Sequence, residues 1–564
     1  MVARLFRLLA ILAMVSFSYV AGAQVSLPSG AQPGRERDQF AIPPSPQAQP
    51  RGPGISLPST AAPEGATGTK LVVRKIVVVG STVYSTDQLA PLYEELIGRE
   101  VPLQAIYDLA QRITAKYGAD GYVLSRAIVP PQELNERGAV VRLRVVEGFV
   151  DKVEWPREKL AKYRDFFSHY TARIIAERPV NVRTIERYLL LANDLPGLKF
   201  STSLKASKGE TGGATLVVEV TEKPFEVNAR IDNRGTKSRG PLQFMVSPTI
   251  NNIFGQHAAF TMAYAGASPL SELQYIAPGW RHVLTAEGLT AFVNASYAWG
   301  YPGVALPEQF KLRTRSTYVE SGASYPVIRE RERNFTLVAM TFMSDNYSFL
   351  GIDANQWDRL RGIRVRADAD FASHGGVSQF SLTYSEGFVG FGSTTNDSAF
   401  KSTPDGRVDF QKIEGFYSRT QPLFDRVSAF IAAYAQHAFT PLLVPEQCSF
   451  GGRVFGRAFD PSDLLGDHCW MAAAELRYDV PAPASAPGAT VALPNVQWYG
   501  FTDKGRTYLI SPGVGTPAHV TAASAGGGVR LGWQNLVTGD LSIAKAIEGP
   551  RNAWRFFFIA TARY

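Results

Sequence analysis

The chain ends in the stretch Trp554-Arg555-Phe556-Phe557-Phe558-Ile559-Ala560-Thr561-Ala562-Arg563-Tyr564. Successive side chains of a β-strand point to opposite faces, so its alternate residues share one face. One face is aromatic and small apolar, and consists of Trp554, Phe556, Phe558, Ala560, Ala562 and Tyr564. The opposite face mixes charged and hydroxyl side chains with Phe557 and Ile559. A strand with one lipid-compatible face and one partly polar face is typical of a membrane β-barrel.

The same alternation begins near Phe225 and continues to the end of the chain. Val227, Ala229 and Ile231 alternate with polar side chains, and turn clusters separate the segments. No stretch after the amino terminus approaches the roughly 20 apolar residues of a membrane-spanning helix, and the other spanning structure is a closed barrel. We therefore predict a transmembrane antiparallel β-barrel over residues 224–564, and segmentation of the pattern gives sixteen or seventeen strands.

The first 69 residues contain targeting and linker features. Arg4 and Arg7 precede a short apolar run, and Ala21-Gly22-Ala23 forms a small-residue cleavage site. This arrangement predicts a signal peptide over residues 1–23 and an exported mature protein. Residues 24–69 are dense in Pro, Gly, Ser, Ala and Gln, a composition expected of a linker. A short helix around Arg35 to Phe40 is the one candidate element in this segment.

Two similar units fill the region between the linker and the barrel. Residues 70–148 show the order β-α-α-β-β, with helices expected over 82–98 and 103–117. Residues 149–223 repeat this order, with helical patterns over 157–176 and 182–193 and a stop signal at Pro196-Gly197. We expect two small α+β modules in front of the barrel.

A glycine-rich stretch interrupts the barrel pattern. It reads Gly451-Gly452-Arg453-Val454-Phe455-Gly456-Arg457-Ala458-Phe459-Asp460-Pro461-Ser462-Asp463-Leu464-Leu465-Gly466-Asp467. Its glycines permit tight turns and close approach, and a buried Arg457 would need an acceptor. A later strand, Gly500-Phe501-Thr502-Asp503-Lys504-Gly505, offers a carboxylate.

These two motifs resemble the long-loop motif and the Phe-x-Asp-x-Gly strand motif of the two-partner secretion transporters, the TpsB family. The resemblance implies a sixteen-stranded barrel whose loop folds inside, with Arg457 paired to Asp503. The implied loop residues are Gly451, Gly452, Gly456, Arg457, Ala458, Phe459, Gly466 and Asp467, and the strand residues are Phe501, Asp503 and Gly505. Gly456 and Ala458 depart from the usual family residues. The family also often places a plug helix before its modules.

Two further features agree with this resemblance. The modules resemble tandem POTRA modules, and the second carries a signature-like stretch that includes Glu186, Arg187, Leu190, Asp194, Pro196 and Gly197. The terminal strand, with Phe556, Phe558 and the final Tyr564, resembles the signal that the barrel-assembly machinery reads. The family usually has Phe as its last residue.

The two cysteines, Cys448 and Cys469, bracket the glycine-rich loop, and an exported compartment permits a disulfide between them. The seven histidines are scattered and form no catalytic or metal-binding motif. We therefore expect neither an enzyme nor a cofactor. The formal charge of +8 is dispersed, which argues against nucleic acid as a partner.

The resemblance implies an outer-membrane pore with periplasmic modules that capture an unfolded exoprotein of the haemolysin or adhesin type and secrete it. The remaining partners implied are the barrel-assembly machinery and outer-membrane lipid. Two alternatives stay open at this point, which are a barrel-assembly or insertase relative and a passive solute channel. Two modules rather than several, and the signature in residues 186–197, favour secretion.

Overall fold

The computed structural model describes residues 27–40, 46–49, 62–135, 137–207, 209–481, 494–513, 515–534 and 536–564. The signal peptide expected over 1–23 lies outside these residues. None of the helices in the described part of the chain has the length and hydropathy that a membrane span requires.

The amino-terminal segment 27–40 differs from the linker expected over 24–69. It contains a short helix, α1 (Glu36–Phe40), at the position of the candidate helix. Ala31, Glu36 and Phe40 are buried, and the Phe40 ring lies 5.1 Å from that of Tyr275 on an inner wall of the barrel. Composition alone misses this packing because few side chains make the contacts and most of them are polar.

The first module packs one long helix on a four-stranded sheet. Its elements are β1 (Lys70–Val79), α2 (Thr86–Leu89), β2 (Glu100–Pro102), α3 (Leu103–Ala119), β3 (Arg126–Ile128) and β4 (Ala139–Val146). The sheet order is β2-β1-β4-β3, with β1 and β4 parallel. Ile106, Ile113 and Tyr117 form the buried face of α3. The helix expected over 82–98 is wrong: only α2 and two 3₁₀ turns form there, and Pro91 supplies no backbone donor.

The second module packs one short and two longer helices on a three-stranded sheet. Its elements are β5 (Phe149–Glu154), α4 (Arg157–Leu160), α5 (Phe167–Ala176), α6 (Val182–Asn193), β6 (Leu198–Ala206) and β7 (Gly213–Glu222). The order β5-β7-β6 leaves β5 and β6 as edge strands. The continuous helix expected over 157–176 is wrong. Asp165 accepts hydrogen bonds from the amides of Phe167 and Ser168, both 3.0 Å, and so starts α5 as a separate helix.

Sixteen antiparallel strands of the described chain close into a barrel, which confirms the predicted fold class. They are β8 (Phe225–Asp232), β9 (Gln243–Asn251), β10 (Ala258–Ala267), β11 (Gln274–Val283), β12 (Thr290–Gly300), β13 (Leu312–Arg329), β14 (Arg333–Leu350), β15 (Asp353–Ser373), β16 (Gly376–Gly387), β17 (Gln411–Phe424), β18 (Val427–Ala438), β21 (His468–Asp479), β22 (Asn495–Tyr508), β23 (His519–Trp533), β24 (Val537–Glu548) and β25 (Trp554–Arg563). Two short strands, β19 (Cys448–Phe450) and β20 (Leu464–Gly466), form a separate hairpin.

The terminal strand closes the barrel. β25 pairs with β24 on one side and with β8 on the other, with Ile559 opposite Asp232 and Arg563 opposite Asn228. Because β8 follows the second module directly, the modules lie at one end of the barrel, which we call the module end. The opposite end is the far end.

Burial along the strands follows the alternation that the sequence predicts. In β21, Met471, Ala473 and Glu475 are buried, whereas Trp470 and Leu476 on the opposite face are exposed. In this strand the inner face therefore combines small, apolar and charged side chains, and the outer face is apolar. This division is the one expected for a wet interior inside a lipid-facing wall.

Candidate functional site: the lumen loop and the module joint

The glycine-rich stretch lies inside the barrel. It belongs to residues 439–467 between β18 and β21, which we call the lumen loop. Its hairpin pairs Cys448 with Gly466 and Phe450 with Leu464. Phe450 and Phe459 are almost fully buried and their ring centroids lie 5.6 Å apart. These rings pack against Phe501 and neighbouring apolar side chains of the inner wall, so the loop has an apolar base.

Two predicted glycines have steric reasons to be glycine. Gly456 has φ of 68°, a left-handed conformation that favours glycine. Gly505 lies on β22 directly below the loop, where a Cβ would stand 2.6 Å from Cδ2 of Phe450. The Phe450 ring of the loop therefore packs directly against the backbone of β22 at Gly505.

Asp503 holds the backbone of the loop. Its carboxylate accepts hydrogen bonds from the amide of Gly456 at 2.8 Å and from the amide of Arg457 at 3.4 Å. The hydroxyl of Ser524 donates a third bond at 2.5 Å. The amide of Ala458, in turn, donates to the Ser524 hydroxyl at 3.4 Å. Asp503 therefore anchors three consecutive residues of the loop, directly or through Ser524.

Arg457 has a different short partner from the one expected. Its Nε lies 3.5 Å from Oδ2 of Asp503, but its Nη1 donates to Oε2 of Glu475 at 2.6 Å. Its guanidinium also lies 3.9 Å from the centroid of the Phe501 ring. The pairing of Arg457 with Asp503 expected from the resemblance is present at 3.5 Å, but the shortest ion pair of Arg457 is to Glu475. The backbone amides occupy Asp503, which leaves the short ion pair to Glu475.

Glu475 is the centre of a charge cluster that sequence reasoning missed. Besides Arg457, its other oxygen accepts bonds from Arg477 and Arg530, both at 2.7 Å. Glu475 is 4% exposed, so a single buried carboxylate accepts hydrogen bonds from three guanidiniums. The sequence gives one indication of this role, which is the position of Glu475 on the inward face of β21, the face that also carries Ala473.

A second set of arginines braces the loop from the opposite side. Arg234 donates to the carbonyls of Gly452 and Arg457, both at 3.2 Å, and Arg453 of the loop pairs with Asp232 at 2.6 Å. Arg551 pairs with Asp460 at 2.9 Å. The loop is therefore held by ion pairs and hydrogen bonds from several walls.

The base of the loop is fixed near the far end. Asp467 is 1% exposed and accepts bonds from the amides of Leu442 and Ile510, both at 2.9 Å. A disulfide joins Cys448 to Cys469, 21 positions apart, and so links the hairpin to β21. Gly466 stands between these groups, where a Cβ would lie 2.8 Å from Cβ of Thr507.

The signature of the second module lies where that module meets the barrel, a contact that we call the module joint. Asp194 accepts two bonds of 2.7 Å from Arg329, the last residue of β13. Arg187 donates to Glu287 in the turn after β11 at 3.1 Å. His169 and Tyr188 contact the same carboxylate, each at 3.0 Å. Burial raises the pKa of Glu287, but these bonds outweigh it and the net pKa is lowered.

The remaining signature residues shape the same joint. The carbonyl of Gly197 accepts a 2.8 Å bond from the amide of Lys223, just before the barrel begins, and the carbonyl of Pro196 accepts a bond from the Asn252 side chain. Gly197 has φ of 66°. Glu186 and Leu190 are half-buried on α6.

The aromatic residues of the terminal strand face outwards. Phe556 is 61% exposed and Phe558 is half-buried on the same outer face. Tyr564 exchanges backbone hydrogen bonds with Val227 of β8. Phe557 on the opposite face is buried beneath the lumen loop.

Two family models match the chain. A POTRA domain of the ShlB type matches residues 71–148, and the model of the haemolysin secretion/activation proteins ShlB/FhaC/HecB matches residues 212–531, which is more than half of the chain. The chain therefore belongs to the ShlB/FhaC/HecB family. The barrel lies in the outer membrane with its modules in the periplasm, so the module end is periplasmic and the far end is extracellular. This confirms the localisation and family inferred from the sequence.

Members of this family and related structures resemble the chain to different extents. The heme/hemopexin transporter protein HuxB of Haemophilus influenzae is 27% identical over 177 residues, which span 30% of this chain and 30% of HuxB. The outer membrane transporter CdiB of Dickeya dadantii is 22% identical over 83% of this chain and 81% of its own. The structure of CdiB from Escherichia coli superposes with a TM-score of 0.68 at 20% identity, covering 90% of this chain and 94% of that chain. The alignment thus spans less than a third of HuxB, whereas the similarity to CdiB extends over most of both chains.

Proposed function

We propose that this protein is the outer-membrane pore of a two-partner secretion system. It captures an unfolded exoprotein in the periplasm and passes it to the cell surface. The observation that carries this proposal has two parts. Two modules are fixed at the periplasmic end, and the hydrated lumen of the barrel contains chain segments that polar contacts hold in place. Membership of the ShlB/FhaC/HecB family supports it. The proposal assigns transport, not catalysis, to the chain.

Capture can take place on the second module. Strand β5 is an edge strand, and an extended peptide can add to such an edge through main-chain hydrogen bonds. A groove of about 1060 Å³ lies between β5 and α5, lined by Trp155, Leu160, Phe167 and Thr171 among others. Side chains of an added strand would enter this groove, which would give the capture step its selectivity.

Passage requires the segment 27–40 to leave its place. Its contacts with the walls include the Glu36–Arg239 pair at 2.7 Å and Arg37 stacked 4.0 Å over Tyr318. The segment has few buried apolar side chains, chiefly Leu27, Ala31 and Phe40. Water in an open lumen can replace polar contacts, so release of this segment costs less than release of an apolar plug of the same size.

The lumen loop has the opposite character and stays in place. Asp503 binds its backbone, Glu475 binds Arg457, and Phe450 and Phe459 bury its base. We propose that it keeps the inner wall ordered while the amino-terminal segment moves. On this proposal the functional residues of the loop and strand motifs include Gly456, Arg457, Asp503 and Gly505, together with Glu475.

Biogenesis follows from the terminal strand. We propose that Phe556, Phe558 and Tyr564 present the signal for the barrel-assembly machinery, since β25 is the strand that closes the barrel on β8. Their outward aromatic rings then face outer-membrane lipid.

Deletion of residues 70–221 tests the proposal. The barrel strands begin at Phe225, so the truncated protein should insert and keep heat-modifiable gel mobility. Export of the partner exoprotein should fall to background. Normal export by the truncated protein would refute the proposed role of the modules.

A groove-filling variant tests the capture step more narrowly. Ala172 is exposed and lines the groove, so Ala172→Trp should reduce export several-fold without unfolding the module. Arg183→Trp is the matched control, because Arg183 is exposed on α6 and does not line this groove. Equal export by both variants would exclude the groove as the capture surface.

A further inference from the structure

The outer wall of the barrel carries four arginines near the extracellular ends of β13 and β15. Leu312, Thr314 and Ser316 of β13 are buried, so Arg313 and Arg315 between them point out of the barrel. In β15, Asp358 and Leu360 are buried and the alternate residues Arg359 and Arg361 point outwards. We call Arg313, Arg315, Arg359 and Arg361 the outer arginine patch.

The strand register brings these arginines together across β14. Arg313 lies opposite Phe349 and Arg315 opposite Tyr347. On the other side of β14, Tyr347 lies opposite Trp357 and Asp345 lies opposite Arg359. The four guanidiniums therefore share one outward surface, separated by aromatic rings.

The patch has more positive charge than its surroundings neutralise. Asp345, on the outward face of β14, pairs with Arg361 at 2.6 Å. Four guanidiniums and this one carboxylate leave three positive charges. Arg313 stacks 4.5 Å over Phe349, and the Nε atoms of Arg313 and Arg359 are buried without a hydrogen-bond partner among the described residues. The Arg315 side chain forms no ion pair within the described chain.

The height of the patch places it among lipid headgroups. The outward residues of β14 from Phe335 to Met343 are Phe335, Leu337, Ala339, Thr341 and Met343, and Asp345 follows. Eight residue steps at about 3.4 Å and a tilt of about 40° give roughly 21 Å. An outer-membrane barrel has an apolar band about 25 Å tall. The arginines begin where this band ends, on the extracellular side.

Aromatic side chains mark the same level. Trp299 lies opposite Arg315 and its ring stacks 5.3 Å from Tyr297. Trp357 packs 4.9 Å from Phe400 of the following extracellular loop. Tyr and Trp gather at the interface between hydrocarbon and headgroups, so the arginines and the girdle of rings lie at one depth.

We propose that the outer arginine patch binds the phosphate groups of a phosphorylated glycolipid of the outer leaflet, a lipid of the lipid A class. A guanidinium binds phosphate through paired donors, and a partly desolvated arginine without an acceptor gains most from such a partner. The apolar band directly below receives the acyl chains. A lipid fits this surface better than a soluble anion does, because phosphate and acyl chains would be satisfied at adjoining heights of the same wall.

Binding of purified lipid A to the full-length protein in detergent micelles tests the proposal by native mass spectrometry. Bisphosphorylated lipid A should bind the wild-type protein at least tenfold more tightly than dephosphorylated lipid A. The double variant Arg315→Gln/Arg359→Gln should lose most of this preference. Arg74→Gln/Arg126→Gln removes two charges from exposed arginines of the first module and should bind like the wild type.

Each outcome decides the proposal. Heat-modifiable gel mobility first establishes that the variants are folded barrels, and Arg315→Lys/Arg359→Lys should bind between wild type and the Gln variant, because it keeps charge without the planar fork. Equal binding of the two lipid forms, or unchanged binding by the Gln variant, would overturn the proposal. Displacement of lipid A by an equal concentration of inorganic phosphate would overturn the assignment to a lipid.

Discussion

Arg329 of the barrel holds Asp194 of the second module through two hydrogen bonds, Nε to Oδ2 and Nη2 to Oδ1, each 2.7 Å long. The same guanidinium donates to Asn334 at 2.9 Å, and Asn334 donates to Asp370 at 2.9 Å. Asp370 in turn accepts the amide of Ala48 at 2.9 Å. A continuous polar chain therefore links the second module, the barrel wall and the stretch 46–49, which lies beyond the amino-terminal segment.

We expect Asp194 and Arg329 to act as one unit. Either Asp194→Ala or Arg329→Ala should loosen the joint, and the double variant should be little worse than either. A coupling energy of about 1 kcal/mol is expected for contacting residues of which one is partly exposed. Protease release of the modules across the double-mutant cycle measures it. Strictly additive losses would show that the two residues do not depend on each other. Arg333→Ala is the control, because Arg333 pairs with Glu330 within the turn between β13 and β14.

The joint should also depend on pH through Glu287. Hydrogen bonds from His169, Arg187 and Tyr188 outweigh burial and lower its pKa in the folded protein. Its stabilisation is therefore complete above the ordinary carboxyl pKa of about 4.3 and disappears as the pH falls through the lower folded value. Module release should rise below about pH 4.3 in the wild type, and this rise should be smaller in Glu287→Gln. An identical pH profile for both proteins would contradict the assignment.

The disulfide should hold the base of the lumen loop. A closed loop of this length stabilises by about 3 kcal/mol where it removes freedom from the unfolded chain. Cys448→Ser/Cys469→Ser should insert normally, because the ion pairs of the loop remain, but should expose the loop to protease at a lower temperature. Mass spectrometry of unreduced peptides checks the bond directly, and free thiols in protein isolated from the membrane would refute it.

Gly505 gives a steric test of the loop position. Gly505→Ala places a methyl group 2.6 Å from the Phe450 ring and should displace the hairpin, which reduces export several-fold. Gly500→Ala on the same strand is the matched control, since its nearest atom would lie 4.0 Å away. Combining Gly505→Ala with Phe450→Leu should restore part of the export. Equal effects of the two glycine variants would place the loop elsewhere.

The barrel was predictable because alternation of apolar and polar residues within each strand shows which side chains face lipid and which face the lumen. The terminal strand shows this plainly, since Phe556 faces outwards and Phe557 is buried as the pattern requires. The short helices were less predictable. Pro91 and the hydrogen bonds that Asp165 accepts from Phe167 and Ser168 interrupt segments whose apolar spacing looks like that of one continuous helix.

The second and shorter ion pair of Arg457, to Glu475, could not be predicted because it depends on where the loop lies. The resemblance of the motifs to the family points only to Asp503. From the sequence, Glu475 is one inward-facing residue among many, and it pairs with Arg457 only because the loop folds against β21. The packing of residues 27–40 has the same cause, since Glu36 pairs with Arg239 in the turn between β8 and β9 and Arg37 stacks on Tyr318 of β13. When a segment folds inside the barrel and contacts the barrel wall, these contacts leave no periodic pattern in the sequence of the segment or of the wall strands.

The charge cluster around Arg457 makes the sharpest prediction. Removing one member of a buried ion pair costs about 3–5 kcal/mol because the partner keeps its charge. Arg457→Ala should therefore disorder the loop and impair export strongly, while insertion persists. Glu475→Gln should be at least as damaging, because it removes the negative charge that Arg457, Arg477 and Arg530 share. Asp503→Asn should be milder, because an amide oxygen still accepts from Gly456.

Cargo in the medium and protease accessibility of the loop measure these effects, with exposed Arg426→Ala as the control. Arg457→Lys should restore part of the export, since an ammonium can reach one carboxylate but cannot form the planar fork. Arg457→Ala/Glu475→Gln should be little worse than the more damaging single variant. Wild-type export by Arg457→Ala would refute the anchoring role. An Asp503→Asn defect larger than that of Glu475→Gln would assign the main anchor to Asp503, because it would show that the backbone bonds of the loop outweigh its ion pair.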